Sequence, residues 1–80
     1  MLTYSLKLAD RYDGMVIATI PDLPEAIAMG RDIDEACDEA RRALEATLQG
    51  YEAEGRPFPV PTLGGRLTVS TDRFEILQPA

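Results

Sequence analysis

Nucleophilic catalysis needs a hydroxyl or thiol beside a base that takes its proton. The chain carries one thiol, Cys37, and no histidine among its 80 residues. It therefore also lacks the commonest metal ligand and the commonest general base near neutral pH. A lone cysteine forms no internal disulfide, which excludes a stapled secreted scaffold. Cys37 stands in an apolar series at helical spacing and reads as a small core hydrophobe. Carboxylates number 14, and carboxylates projecting from strand centres can hold divalent metal in a two-metal hydrolytic site. Here the centre of the first alternating segment is Ser5-Leu6-Lys7. The nearest acids, Asp10 and Asp13, fall beside Gly14, where aspartate satisfies backbone donors in a turn. There is no Cys-x-x-Cys and no phosphate-cradling glycine loop, and Gly64-Gly65 reads as a turn. These residues predict no catalytic centre, no metal site and no cofactor. The chain is expected to bind a partner, not to turn over a substrate.

The net charge of −6 is unevenly placed. From Asp32 to Glu54 eight acids stand against two bases, Arg41 and Arg42, while the remaining six acids and six bases cancel. A chain with no basic stripe, few aromatics and no helix-turn-helix pattern is poorly suited to phosphate backbones, so no direct nucleic-acid contact is expected. A concentrated acidic face keeps a protein soluble and steers a basic partner towards it. The residues that would form such a face are Glu35, Asp38, Glu39, Glu45 and Glu52.

The elements that position these residues follow from periodicity. Residues 3–9 alternate, with Tyr4, Leu6 and Leu8 on one side and Thr3, Ser5 and Lys7 on the other, which predicts a half-buried strand. Asp13-Gly14 supplies a tight reversal, and residues 15–20 form a second strand, apolar on both faces apart from Thr19. Pro21-Asp22-Leu23-Pro24 fixes two φ angles and removes two backbone donors, so it reads as a rigid break, with a short third strand at Glu25–Met29 ended by Gly30. Asp32 is an N-cap with Glu35 three residues on, in the manner of a capping box. Ile33, Ala36, Cys37, Ala40, Ala43, Leu44, Thr47, Leu48 and Tyr51 recur at three and four, predicting a helix to about Glu54 with Gly55 at its end. Asp38 and Arg42 are spaced for an i,i+4 pair on its outer face. The alternating prolines of Arg56–Pro61 make an extended connector. Arg66–Thr71 alternates again as a fourth strand, and Phe74–Leu77 continues it or adds a fifth.

The expected architecture is a single α+β domain spanning residues 1–80. It is ordered β-β-β-α-β, with a small, mainly antiparallel sheet and one long helix packed on one face. This order is similar to that of the ribonuclease H fold. No second layer exists to cover the other sheet face, which would expose either Met15 and Ile17 or Val16, Ala18 and Ile20. An apolar sheet face left open predicts a partner or self-association, as a homodimer or higher oligomer. No apolar run is long enough to span a membrane, and Asp10 follows too early for a secretory signal, so a cytoplasmic location is expected.

Ile20-Pro21-Asp22-Leu23-Pro24-Glu25-Ala26, followed by Ala28-Met29-Gly30, resembles the proline-aspartate-leucine-proline signature of the HicB-like antitoxins. Asp34-Glu35-Ala36 is similar to that family's acidic helix start, and Ala40-Arg41-Arg42-Ala43-Leu44 to its continuation. Gly55-Arg56-Pro57-Phe58-Pro59-Val60-Pro61 resembles its glycine-proline segment. The resemblance runs from about Tyr4 to Val69. It implies a partial ribonuclease H-like fold without catalytic carboxylates, and binding to a HicA-like toxin, a small basic protein that degrades RNA with a histidine. Many members carry a C-terminal DNA-binding module. Only about ten residues follow the fourth strand here, too few for one, so a short single-domain member is expected. Under this reading the rigid loop presents Asp22 and Leu23 to the toxin with little ordering cost, the acidic helix face meets its basic surface, and Met15 and Ile17 form a self-association surface.

Overall fold

The computed structural model describes residues 1–62 and 64–74. Four strands and one helix follow the expected order: β1 (Leu2–Asp10), β2 (Val16–Ile20), β3 (Leu23–Gly30), α1 (Ile33–Ala53) and β4 (Leu67–Thr71). The sheet runs β3-β2-β1-β4, every neighbour antiparallel. With α1 packed on one side, this is the expected α+β architecture. The continuation anticipated at Phe74–Leu77 lies, beyond Phe74, outside the described residues.

The β1–β2 reversal is a three-residue loop. The Arg11 amide donates to the Met15 carbonyl (2.8 Å) and the Gly14 amide to the Arg11 carbonyl (3.1 Å). Gly14 has a φ of +86°, the left-handed position such loops require. The Asp13 carboxylate accepts the Met15 amide at 3.2 Å, a local turn role. This bonding draws Met15 out of the second strand.

The rigid break is narrower than its two prolines suggested. Only Pro21-Asp22 turns the chain, and Ile20 already pairs with Leu23 across it. The pairing then shifts, resuming at Thr19 with Ile27, so residues 24–26 are extra in β3. A proline without an amide is tolerated at such an irregularity on an edge strand, which is where Pro24 sits.

Burial alternates as a two-sided sheet requires. On the helix side Leu2, Tyr4, Leu6, Val16, Ala18, Ile20, Leu23 and Val69 are buried and meet Ala36, Ala40, Leu44 and Leu48 of α1. The helix stripe grades from small to large along its axis. At its narrow end α1 approaches the sheet so closely that a Cβ on Gly30 would collide with the Ala36 backbone nitrogen. Gly30 is therefore a steric requirement of helix–sheet packing as well as a strand terminator.

Both helix ends are capped. The Asp32 carboxylate accepts the Glu35 amide at 2.8 Å. Glu35 departs from a standard capping box: it reaches past Asp32 to accept the Arg31 amide (3.1 Å) and its guanidinium (3.1 and 3.3 Å). At the other end the Gly55 amide bonds the Glu52 carbonyl (3.1 Å) and the Arg56 amide bonds the Tyr51 carbonyl (2.9 Å). With Gly55 at φ +69° this is a Schellman motif, and Glu54 is the cap residue.

Two glycines should respond oppositely to alanine. Gly50 lies mid-helix with open space where a Cβ would go, so Gly50→Ala should raise unfolding stability by about 0.5–1 kcal/mol. Gly30→Ala should lower it by about 1–3 kcal/mol through overpacking against the helix backbone. Urea denaturation monitored by circular dichroism measures both.

Candidate functional site

The acidic stretch does not present a uniform face. Glu35 is engaged by Arg31, whose guanidinium and backbone amide hold its carboxyl below the usual carboxylate range. Its stabilising contribution is therefore present above the unfolded-state pKa and is lost as pH falls. Glu39 pairs with Arg42 at 2.6 Å, which replaces the anticipated Asp38–Arg42 pair. The i,i+3 spacing brings these two side chains together as readily as i,i+4. Glu45 accepts the Thr71 hydroxyl at 2.7 Å, tying α1 to β4. Asp38 and Glu52 remain exposed, and among the described residues neither forms an ion pair.

The middle of the helix also carries positive charge. Arg41 and Arg42 line a cleft of about 420 Å³ together with Met1, Arg73, Glu45 and Asp72. The free acid of α1 therefore lies towards its two ends. Spacings of seven residues recur on one helical stripe, so Asp38, Glu45 and Glu52 share a side of α1, with Glu45 at its centre bound to the sheet.

The Pro21–Pro24 loop corrects one expectation. Leu23 has 0% exposure and belongs to the core beneath α1. Its side chain offers no surface to a partner, because strand alternation points it to the same side as Ile20. Asp22 is half-buried and acts within the chain: it accepts the Thr62 amide at 2.7 Å and the Thr62 hydroxyl at 2.8 Å. Forty residues of sequence separate the two, and no local pattern links them.

This contact belongs to a set that lashes the proline connector to the sheet. Tyr4 donates its phenol to the Pro59 carbonyl at 2.7 Å, and Ser5 donates to the Thr62 carbonyl at 2.9 Å. Phe58 meets Phe74 edge to face, with ring centroids 5.7 Å apart. Arg56 lies over the Tyr51 ring at 4.0 Å, and Tyr51 donates to the Glu25 carboxylate at 2.6 Å. A segment rich in proline forms no ladder of its own, so side chains from elsewhere must satisfy its carbonyls. Burial, reinforced by the nearby Asp22 carboxylate, pushes the Tyr4 phenol up to about 12. The hydrogen bond to Glu25 is the main cause that raises Tyr51.

Among the described residues no helix or strand layer covers the β2–β3 half of the second sheet face. Val16, Ala18 and Ile20 point under the helix, so Met15 and Ile17 lie on the uncovered side, half-buried. Ile27 and Met29 of β3 lie beside them, with Ile17 paired to Met29 and Thr19 to Ile27. They are 62% and 42% exposed. The β1–β4 half of the same face carries Thr3, Ser5, Lys7, Thr68 and Ser70, so the apolar area is confined to β2 and the β3 edge. Sequence reading singled out Met15 and Ile17 but not the more exposed Ile27 and Met29. Their alternation with Ala26 and Ala28 was the signal.

Cys37 is half-buried against the core. Among the described residues no three carboxylates or thiols converge as a metal cage requires, and no helix is long and apolar enough to cross a membrane. The arrangement holds two surfaces suited to binding: acid at the ends of α1 and an apolar sheet edge. No family model matches the chain, and no match was found among curated proteins.

The connector clamp should be visible in alkali. The folded-state pKa of Tyr4 lies above the ordinary phenol value of 10.0. Its contribution is therefore complete below pH 10 and lost as pH rises through about 12. Tyr4→Phe should cost about 1 kcal/mol at neutral pH by leaving the Pro59 carbonyl unpaired, and should flatten the alkaline fall in stability. Thermal melts across that pH range are the measurement.

Proposed function

We propose that this chain is a non-enzymatic antitoxin of the HicB-like type, acting in the cytoplasm, that binds and occludes a small basic HicA-like RNA-degrading toxin. The observation that carries the proposal is the free acid of α1: Asp38 and Glu52 stand exposed on one side of a helix that, with its flanking Asp32 and Glu54, accounts for the whole net charge of the chain. The ordered motifs from Ile20 to Pro61 support the same reading.

Neutralisation is occlusion. Charge on α1 raises the rate at which a basic partner arrives, and apolar contacts slow its departure. The engaged acids have a different part. Glu35 fixes the helix start and Glu45 fixes α1 to β4, so they hold the recognition surface in place. Asp22 rigidifies the connector, and Leu23 supports the turn from within.

A second reading is a self-associating interaction domain without a toxin. The exposed Ile27 and Met29 beside Ile17 favour it, because single-layer coverage leaves an apolar edge in water.

The test for the first reading uses acids that have no structural duty. Asp38→Lys together with Glu52→Lys should slow association with a purified HicA-type toxin by about tenfold at low salt and weaken its salt dependence. Thermal stability should stay within about 0.5 kcal/mol of the unmodified chain. Surface plasmon resonance at two ionic strengths reads the rate. An unchanged rate and salt slope, or no binding to such a toxin by the unmodified chain, would overturn the proposal.

A further inference from the structure

We propose that two copies of this chain pair antiparallel along the free edge of β3, about a two-fold axis at Ala28, to form one continuous eight-stranded sheet. The inference rests on the self-association reading and names the strand, the register and the charges that set it.

Edge strands expose unpaired amides and carbonyls, and monomeric proteins blunt them with charge, proline, irregularity or short length. The two edges of this sheet differ in that respect. β4 has five residues and is flanked by Arg66 on one side and Asp72-Arg73 on the other. β3 has eight residues, and its proline and register shift are confined to the start. From Ala26 to Gly30 it carries no charge and no proline, while Ile27 and Met29 stand exposed on the open face. An unguarded stretch of this kind suits another strand.

The charges bracketing the stretch choose the partner. Glu25 precedes it and Arg31 follows it; both are exposed, and each also holds a contact within its own chain, Glu25 accepting the Tyr51 phenol at 2.6 Å and Arg31 pairing with Glu35 at 3.1 Å while its side chain stays 81% accessible. In an antiparallel self-pairing centred on Ala28, Glu25 faces Arg31 of the second copy, and Arg31 faces its Glu25. Ile27 faces Met29 on the open side, twice over. Opposite charges and apolar pairs directly across strands are the pairings that stabilise a ladder. A shift by one residue would face Glu25 with Gly30 and break both ion pairs, so the charges set the register. Arg11, whose guanidinium lies 2.7 Å from the Met29 sulfur and is paired with Asp13, adds a further base at the Arg31 end. A C2 contact needs one surface complementary to itself, and a strand acidic at its start and basic at its end meets that condition.

Sedimentation equilibrium of the purified chain tests this. The unmodified chain should be a dimer. Glu25→Arg should raise the dissociation constant at least about tenfold, because the two-fold axis makes one substitution act at two places. Arg31→Glu should do the same, and the double exchange Glu25→Arg with Arg31→Glu should return the constant to within a few-fold of the original. Ile27→Lys, on a side chain already facing solvent, is an independent variant that should also leave a folded monomer, with circular dichroism confirming the fold. A chain monomeric at all accessible concentrations would overturn both edge pairing and self-association. A dimer indifferent to the exchange and to Ile27→Lys would overturn the edge pairing alone and leave self-association through another surface. Neither outcome bears on toxin binding, which the Asp38 and Glu52 variants read separately.

Discussion

The structure depends on one close contact: α1 lying against the sheet with Ala36 on Gly30 at its start and Leu44 and Leu48 on the core further along. Among the described residues α1 is the one helix laid on the four-stranded sheet. The side beneath it must therefore hold nearly all of the core, including Tyr4, Ile20 and Leu23. Small residues at the narrow end let the backbones approach, and larger ones fill the space as the layers diverge, which is how interiors reach their packing density. The two caps, Asp32 and the Gly55 turn, keep the ends of that helix where the contact needs them.

The same economy explains the connector. After α1 the chain must cross to the far edge of the sheet to place β4 beside β1. A proline-rich path does this with few backbone donors and little freedom to lose. Its carbonyls and its one threonine are then served by residues of the sheet: Tyr4 for Pro59, Ser5 and Asp22 for Thr62. A residue that looked available for a partner is thus occupied within the fold, and the helix acids divide in the same way into those that build and those that remain free.

Much of the architecture was legible because it rests on short-range periodicity. Alternation located the strands to within two or three residues, the 3.6-residue repeat located α1, and Asp32, Gly14 and Gly55 behaved as their local chemistry requires. The misreadings share a cause. Leu23 sits between two prolines, which argues locally for a loop, yet pairing with Ile20 places it in β3 and the core. Arg42 chose Glu39 over Asp38 because both spacings bring charges together on a helix and only side-chain placement separates them. Glu45 looked like one acid among several until β4 supplied Thr71.

By itself, then, the amino-acid order determined which segments are strand and which is helix, where the helix is capped, where the net charge is concentrated, and that one sheet face would go uncovered. These are properties of neighbours within a few residues, where steric and hydrogen-bonding preferences act directly. Which face lay open, which acids stayed free, and which edge was left unguarded were decided only in three dimensions. Glu35 and Glu39 were taken by bases three and four residues away, but the engagement of Glu45 and Asp22 and the closing of the sheet rest on contacts between residues 26 to 67 positions apart, formed when the helix and the connector close over the sheet. No local preference encodes a pairing at that separation.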